Sequence, residues 1–166
     1  LVAMATILTL VSKKSPFAEV DRKYLEEKLM GLTESTKPSW GILTPQHMVE
    51  HFDYFFQMSI GEIPTAVTTP EKYIERYQEG LWDYKPMMKE FDHPALRTGK
   101  LEDLRHGSLA EAKVAMMKSY DAFETYFKEN PEAKTPNTVF GDLDKWHWDL
   151  LNRKHVDHHF RQFGLV

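Results

Sequence analysis

From residue 17 onward, apolar side chains recur at steps of three and four residues, in segments separated by proline, glycine and capping residues. This spacing places apolar side chains along one face of an α-helix, whereas a half-buried strand would show them at every second position. The chain has 166 residues, of which 42% are hydrophobic, so one compact core can form. The pattern therefore predicts one all-α domain over residues 17–166.

Local start and stop signals divide this domain into four helices of useful length. The helices are predicted to start at Phe17 (after Ser15-Pro16), Thr44-Pro45, Ser108 and Asp144, and to end at Gly31, Gly61, Asn130 and Gly164. Residues 62–107 carry four prolines, so only short helices are expected there, over 71–79 and 86–91. Four helices with one long connection between the second and the third describe a four-helix bundle.

Residues 1–16 do not follow the helical pattern. The stretch from Leu1 to Val11 is apolar and partly β-branched, which is typical of a strand. A signal peptide is disfavoured because the basic residues follow the apolar run instead of preceding it. Since the chain begins with Leu1 and a lone strand needs a pairing partner, we expect residues 1–16 to be an N-terminal extension that ends a preceding domain of a longer protein.

Residues 5–14 (ATILTLVSKK) resemble the last strand of a MaoC-like hotdog hydratase domain. Such a domain ends the bifunctional phenylacetate-degradation proteins, in which an aldehyde dehydrogenase is fused to an oxepin-CoA hydrolase. The resemblance implies that residues 17–166 are a non-catalytic accessory domain, covalently fused to an upstream catalytic domain. The alternative is an N-terminal arm or a first turn of helix.

The composition excludes several chemistries. The chain contains no cysteine, which excludes disulfides, thiolate nucleophiles and all-cysteine metal sites. Its formal net charge is −4 and it has no basic run, so nucleic acid is not an expected partner. No apolar stretch reaches the length of a transmembrane helix, and we expect no membrane partner and a cytoplasmic location. Any bound metal must therefore be held by imidazole, carboxylate or water.

Histidine is concentrated near the C-terminus, where four of the eight histidines fall within the predicted last helix. His155 and His159 are four residues apart, so both rings can face one ion. His155 and His158 form an alternative pair. In the second helix, His47 and His51 have the same four-residue spacing, and His51 lies on the inward apolar stripe.

Side by side in a bundle, His51, His155 and His159 can meet at one end of the core. Three neutral imidazoles with a vacant position form a reactive metal site, since a bound water becomes more acidic there. Without a metal, several imidazoles in an apolar core are difficult to satisfy with hydrogen bonds. The alternative is a purely structural bundle in which these histidines are hydrogen-bonded core residues.

Other polar residues lie close to these histidines in the sequence. Three acidic residues adjoin the candidate ligands: Glu50, Asp53 and Asp157. They either orient the ligands through hydrogen bonds or lie on solvated helix faces. His93 and His106 are expected at the surface, and His147 is expected to be partly buried without a functional role.

Two motifs resemble the DinB/YfiT-like superfamily, specifically an uncharacterised branch of it. They are residues 45–51 (PQHMVEH) and residues 154–164 (KHVDHHFRQFG), with Trp148 between them. The resemblance covers residues 17–166 and implies a four-helix bundle that binds a divalent metal, zinc or nickel. It assigns the ligand roles to His51, His155 and His159, whereas His47 and His158 do not match ligand positions of the family.

The same resemblance implies a function. Characterised members include S-transferases and isomerases that use low-molecular-weight thiols, so we expect a metal-dependent hydrolase or S-transferase that acts on a small-molecule substrate with such a thiol. A metal-bound thiol loses its proton near neutral pH. Since the chain has no cysteine, the sulfur would come from the substrate. Relatives commonly pair through their helices, which implies a homodimer.

Overall fold

The computed structural model describes residues 15–83, 85–89 and 100–166. Within these residues the fold is mostly helical, which confirms the all-α prediction at this level, and a small antiparallel sheet accompanies the helices. The elements are α1 (Arg22–Met30), α2 (Pro45–Ser59), α3 (Glu71–Glu79), α4 (Leu109–Glu129), β1 (Thr135–Asn137), β2 (Gly141–Leu143) and α5 (Lys145–Gln162). None of these helices has both the length and the apolar character needed to cross a lipid bilayer. The strand expected to end a preceding domain falls in residues 1–14, outside the described residues.

Three of the four predicted helix starts are confirmed by capping hydrogen bonds. At the beginning of α2, α4 and α5, the side chain before the helix accepts from the backbone N–H three residues ahead. The pairs are Thr44 with His47, Ser108 with Glu111, and Asp144 with His147. Each cap satisfies a backbone donor that has no partner inside its helix, which is why the starts could be read from local sequence.

The predicted start of the first helix at Phe17 is wrong, because α1 begins at Arg22. The Asp21 side chain accepts a hydrogen bond from the Tyr24 N–H at 2.7 Å and caps the helix there. Phe17 is buried outside any helix, in the segment that leads to this cap. Val20 packs against the core from the same segment. It is an apolar residue four positions before Tyr24, so it matches the helical spacing although it lies outside the helix.

The long connection between α2 and α4 contains α3, which confirms the predicted short helix over residues 71–79. The other predicted short helix, over 86–91, is wrong for residues 86–89, which form no helix. Pro86 removes a backbone donor and disfavours helical angles at Lys85. Residues 90 and 91 lie outside the described part of the chain.

β1 and β2 form a short hairpin between the predicted end of one helix at Asn130 and the predicted start of the next at Asp144. Thr135 pairs with Leu143 in this hairpin. The Asn137 side-chain oxygen accepts hydrogen bonds from the N–H groups of Val139 and Phe140 and so closes the turn. Strands of three residues are too short to show an alternating apolar pattern, so the sequence carries no periodic signal for them.

A buried polar link joins this hairpin to two helices. Trp148 of α5 is fully buried and donates from Nε1 to Thr135 Oγ1 at 2.8 Å. Thr135 donates in turn to the carbonyl oxygen of Ser59, the last residue of α2, at 2.6 Å. Nearby, Phe56 of α2 packs against Phe123 of α4 in the core. The two hydrogen bonds through Thr135 tie the end of α2 to the first half of α5, the two helices that carry the candidate ligands.

Candidate metal centre

Three histidines from two helices converge in the interior of the domain. α2 contributes His51, α5 contributes His155 and His159, and the candidate ligand nitrogens all lie within 4.8 Å of one another. The Nε2 atoms of His51 and His155 are 2.8 Å apart. The centroids of the three rings are separated by 4.8, 5.0 and 4.9 Å. The structure therefore brings together the three histidines that the sequence singles out.

Helix geometry and aromatic packing explain this convergence. His155 and His159 are one turn apart on α5, so their rings lie on the same face. His51 meets them from α2, where the rings of Phe52 and Phe55 lie 5.2 and 4.5 Å from the ring of His155. His155 and His159 are buried, and His51 is partly buried. The phenylalanines thus give the cluster an apolar wall.

These apolar surroundings keep the three imidazoles uncharged. Burial, together with the nearby His158, lowers the pKa of His51 to about 4. Burial also lowers the pKa of His155 and His159 well below the usual value for histidine, and their proximity to His51 adds to the effect. A proton on one ring would be poorly solvated and would repel a second. At neutral pH all three rings therefore offer lone pairs.

The outer ring nitrogens of the two α5 ligands differ in their hydrogen bonds. His159 Nδ1 lies 2.8 Å from Gln162 Oε1. The other end of that amide, Gln162 Nε2, donates to the Trp40 carbonyl oxygen at 2.7 Å. An amide oxygen only accepts, so His159 donates from Nδ1 and keeps the lone pair on Nε2. By contrast, the buried Nδ1 of His155 has no hydrogen-bond partner within the described residues.

The three histidines fit a divalent metal ion by chemistry and by spacing. Neutral imidazole nitrogen suits zinc, nickel, copper and iron. Zinc–nitrogen distances of about 2.0–2.1 Å place the nitrogens of a tetrahedral set roughly 3.3–3.4 Å apart. The separations within the cluster bracket this distance, from 2.8 Å between two of the nitrogens to at most 4.8 Å. The cluster can therefore hold a metal ion.

The other histidines near the cluster have different partners. His47 Nε2 lies 3.0 Å from the carbonyl oxygen of Glu102 in the long connection. His158 forms a hydrogen bond with the backbone of Met87 and packs edge-on against Trp40, with 5.7 Å between ring centroids. Neither residue belongs to the group of nitrogens that can share one ion, so the alternative ligand pairings that include them are not formed.

Glu50 and Asp53 neither orient the candidate ligands nor lie on a solvated face, so both interpretations from the sequence are wrong. The Glu50 carboxylate accepts from the backbone N–H groups of Arg105 at 2.7 Å and His106 at 3.1 Å. Asp53 accepts from the Arg105 guanidinium at 2.8 Å and from the Ser119 hydroxyl at 2.6 Å. Both carboxylates are buried. They fasten the end of the long connection to α2.

The remaining polar residues also have defined positions. Asp157 is buried and accepts from the Arg161 guanidinium at 2.8 Å, so it too is no partner of a candidate ligand. His106 is partly buried, so its predicted position at the surface is wrong. His147 is partly buried, as predicted. His93 lies outside the described residues.

Sequence reasoning missed the two residues that support His159. Gln162 follows His159 by three positions on α5, and this spacing is a signal that could have found it. Trp40 contributes its backbone carbonyl, a group that every residue carries, so no sequence pattern could have pointed to it.

Comparisons of the chain with protein-family models, with curated proteins and with solved structures found no match. The functional interpretation therefore depends on the site itself.

Proposed function

We propose that residues 17–166 form a DinB/YfiT-like four-helix bundle that binds one divalent metal ion, zinc or nickel. Helices α1, α2, α4 and α5 are the four helices of this bundle. The observation that carries the proposal is the convergence of three uncharged imidazoles, those of His51, His155 and His159, with their ligand nitrogens within 4.8 Å. The facing nitrogens of the three rings cannot all be satisfied by hydrogen bonds to one another, because His159 uses its N–H on Gln162, whereas a cation binds all three lone pairs.

A divalent ion bound there supplies Lewis-acid chemistry, since it lowers the pKa of a water or thiol at its open position. The chain's own residues hold and shield the ion. His51, His155 and His159 are the ligands, and Gln162 orients the ring of His159. The ring of Phe55 lies against His155 and excludes water from that side of the cluster.

The proposed activity is that of a metal-dependent S-transferase or hydrolase that acts with a low-molecular-weight thiol. Support comes from the composition, because the chain has no cysteine. A protein without thiols cannot form mixed disulfides with a thiol substrate and cannot compete with it for the metal. The sulfur nucleophile is then supplied from solution.

Elemental analysis of protein purified without a His tag or a chelating column tests the metal proposal. We expect about one zinc or nickel ion per chain in the wild type. His155→Ala and His159→Ala should lose most of this metal because each removes one of three ligands. His47→Ala is the matched control, since His47 lies on the same helix as His51 but outside the cluster, and it should retain the metal.

Circular dichroism of each variant separates loss of the site from loss of the fold. Wild-type protein that keeps its helical content but stays free of metal after incubation with zinc or nickel salts would contradict the proposal.

The activity is tested on metal-loaded protein mixed with a low-molecular-weight thiol and an alkyl halide. S-alkylation forms a carbon–sulfur bond and releases halide and a proton, so halide release reports the reaction. We expect release above the uncatalysed rate that depends on both thiol and metal and is lost in His155→Ala. Metal-loaded protein that shows no such release would contradict the S-transferase proposal and leave the metal site standing.

A further inference from the structure

We propose that Gln162 is a positioning residue of the metal site. Its amide is oriented by a hydrogen bond to the Trp40 backbone carbonyl, and the amide oxygen in turn fixes the tautomer of His159. The inference rests on the proposed metal-binding role of the histidine cluster. Gln162 keeps the lone pair of His159 on Nε2 before any ion binds, because it accepts the hydrogen bond of Nδ1.

Gln162 is buried at the end of α5 and is hydrogen-bonded at three points. Its side-chain Oε1 lies 2.8 Å from His159 Nδ1, and its Nε2 donates to the Trp40 carbonyl oxygen at 2.7 Å. Its backbone carbonyl accepts from the Ser39 N–H at 2.7 Å. The loop before α2 therefore holds Gln162 through both its main chain and its side chain.

The direction of these hydrogen bonds follows from donor and acceptor chemistry. The Trp40 carbonyl oxygen only accepts, so the end of the Gln162 amide that faces it must be the NH₂ group. The other end must then be the oxygen, which only accepts. His159 must donate to it from Nδ1, and the lone pair of the ring is therefore on Nε2, the nitrogen free to bind a metal.

The backbone at Gly41 is shaped to make room for this amide. Gly41 has a φ of +73°, in the left-handed region that favours glycine, and a Cβ added there would lie 2.9 Å from Gln162 Nε2. A side chain at this position would strain the backbone and push against the amide. The three loop residues Ser39, Trp40 and Gly41 therefore all contribute to the position of Gln162.

This arrangement matters because a neutral imidazole has two tautomers. The Nε2–H tautomer of His159 would place the Nδ1 lone pair against the Gln162 oxygen at 2.8 Å, which is unfavourable. The metal-free protein thus already holds the tautomer that a metal needs. Loss of an outer hydrogen bond of this kind typically weakens metal affinity by about 10–100-fold.

One substitution separates positioning from packing. Gln162→Met keeps the length of the side chain but removes the acceptor for His159 Nδ1. We expect a mixture of His159 tautomers in Gln162→Met and the Nδ1–H tautomer in the wild type. The readout is the set of ¹⁵N chemical shifts of the imidazole nitrogens in metal-free protein.

Zinc titration provides the second readout. We expect affinity to fall by about 10–100-fold in Gln162→Met. Gln57→Met is the matched control, because Gln57 donates to Asp53 at 2.8 Å and belongs to a different hydrogen-bond network. It should change neither the tautomer of His159 nor the zinc affinity.

The inference is overturned if Gln162→Met keeps both the Nδ1–H tautomer and wild-type zinc affinity. If Gln162→Met does not fold, Gly41→Ala takes its place, since a Cβ at 2.9 Å displaces the amide but leaves Gln162 present. It should give the same tautomer mixture, and an unchanged tautomer there overturns the inference equally. If wild-type protein binds no zinc, the proposed function fails while the ¹⁵N spectra of the metal-free proteins still decide the role of Gln162.

Discussion

The Nε2 atoms of His51 and His155 lie 2.8 Å apart, where α2 meets α5. Two lone pairs at this distance would repel, so in the metal-free protein one ring donates its N–H to the other. Under the proposed function, a metal ion would occupy the position of that shared hydrogen atom, and the donating ring would carry its proton on Nδ1 instead. An additional proton and a metal ion compete for the same ring lone pairs, and this relationship leads to predictions for stability.

Acidification should destabilise the metal-free protein. Histidine in an unfolded chain takes up a proton near pH 6.5, whereas the pKa of His51 in the folded protein is about 4. Between these values the unfolded state binds more protons, so the free energy of unfolding should fall as the pH drops through this range. Urea unfolding at roughly pH 7.5, 6 and 5 measures the effect.

The same experiment has an internal control. At about pH 7.5 and above, the three histidines of the cluster are almost fully neutral in both states and should contribute little pH dependence. Replacement of one buried imidazole, in His155→Phe, should make the decline below that pH shallower. A decline as steep as that of the wild type would show that other groups are responsible.

Zinc or nickel should stabilise the folded protein, because the ion binds the assembled cluster and not the unfolded chain. At a free metal concentration of 100 times Kd, the expected gain in the free energy of unfolding is about 2.7 kcal/mol. Thermal unfolding over a series of metal concentrations measures this gain. His159→Ala should abolish the response and His147→Ala should retain it; an equal response in both variants would place the metal elsewhere.

Asp53→Ala should lower the free energy of unfolding by about 1–3 kcal/mol, because the buried Ser119 hydroxyl loses its acceptor. The Ser119 hydroxyl and the Arg105 guanidinium both donate to this carboxylate. Metal affinity should be unchanged, since Asp53 bonds none of the three candidate ligands. Urea unfolding and zinc titration test the two statements separately. A large loss of affinity with unchanged stability would instead assign Asp53 a role in orienting the ligands.

Asp21→Ala should destabilise the protein by about 0.5–2 kcal/mol, the usual cost of losing an N-cap. Its side chain caps α1 through the Tyr24 N–H. Glu19→Ala is the control, since the Glu19 side chain is 80% exposed and precedes the helix. Urea unfolding compares the two variants, and equal stability of both would mean that α1 does not begin at the Asp21 cap.

The sequence by itself determined the features that depend on contacts within one helical turn. Ser108 and Asp144 mark the starts of their helices in the sequence, because an N-cap side chain bonds a backbone N–H only three residues ahead. The pairing of His155 with His159 likewise follows from the rise and turn of a single helix. The first helix shows the limit of such reasoning, since Val20 satisfies the helical spacing from a segment that is not helical.

Only the tertiary structure decided which distant groups meet. Gln162 reaches the Trp40 carbonyl 122 residues away, and Glu50 reaches the Arg105 N–H 55 residues away. A carboxylate accepts from any donor and an amide N–H donates to any acceptor, so the residue type does not encode the partner. The path of the chain brings one partner within reach, which is why Glu50 holds the long connection and Gln162 holds the loop beside the histidine cluster.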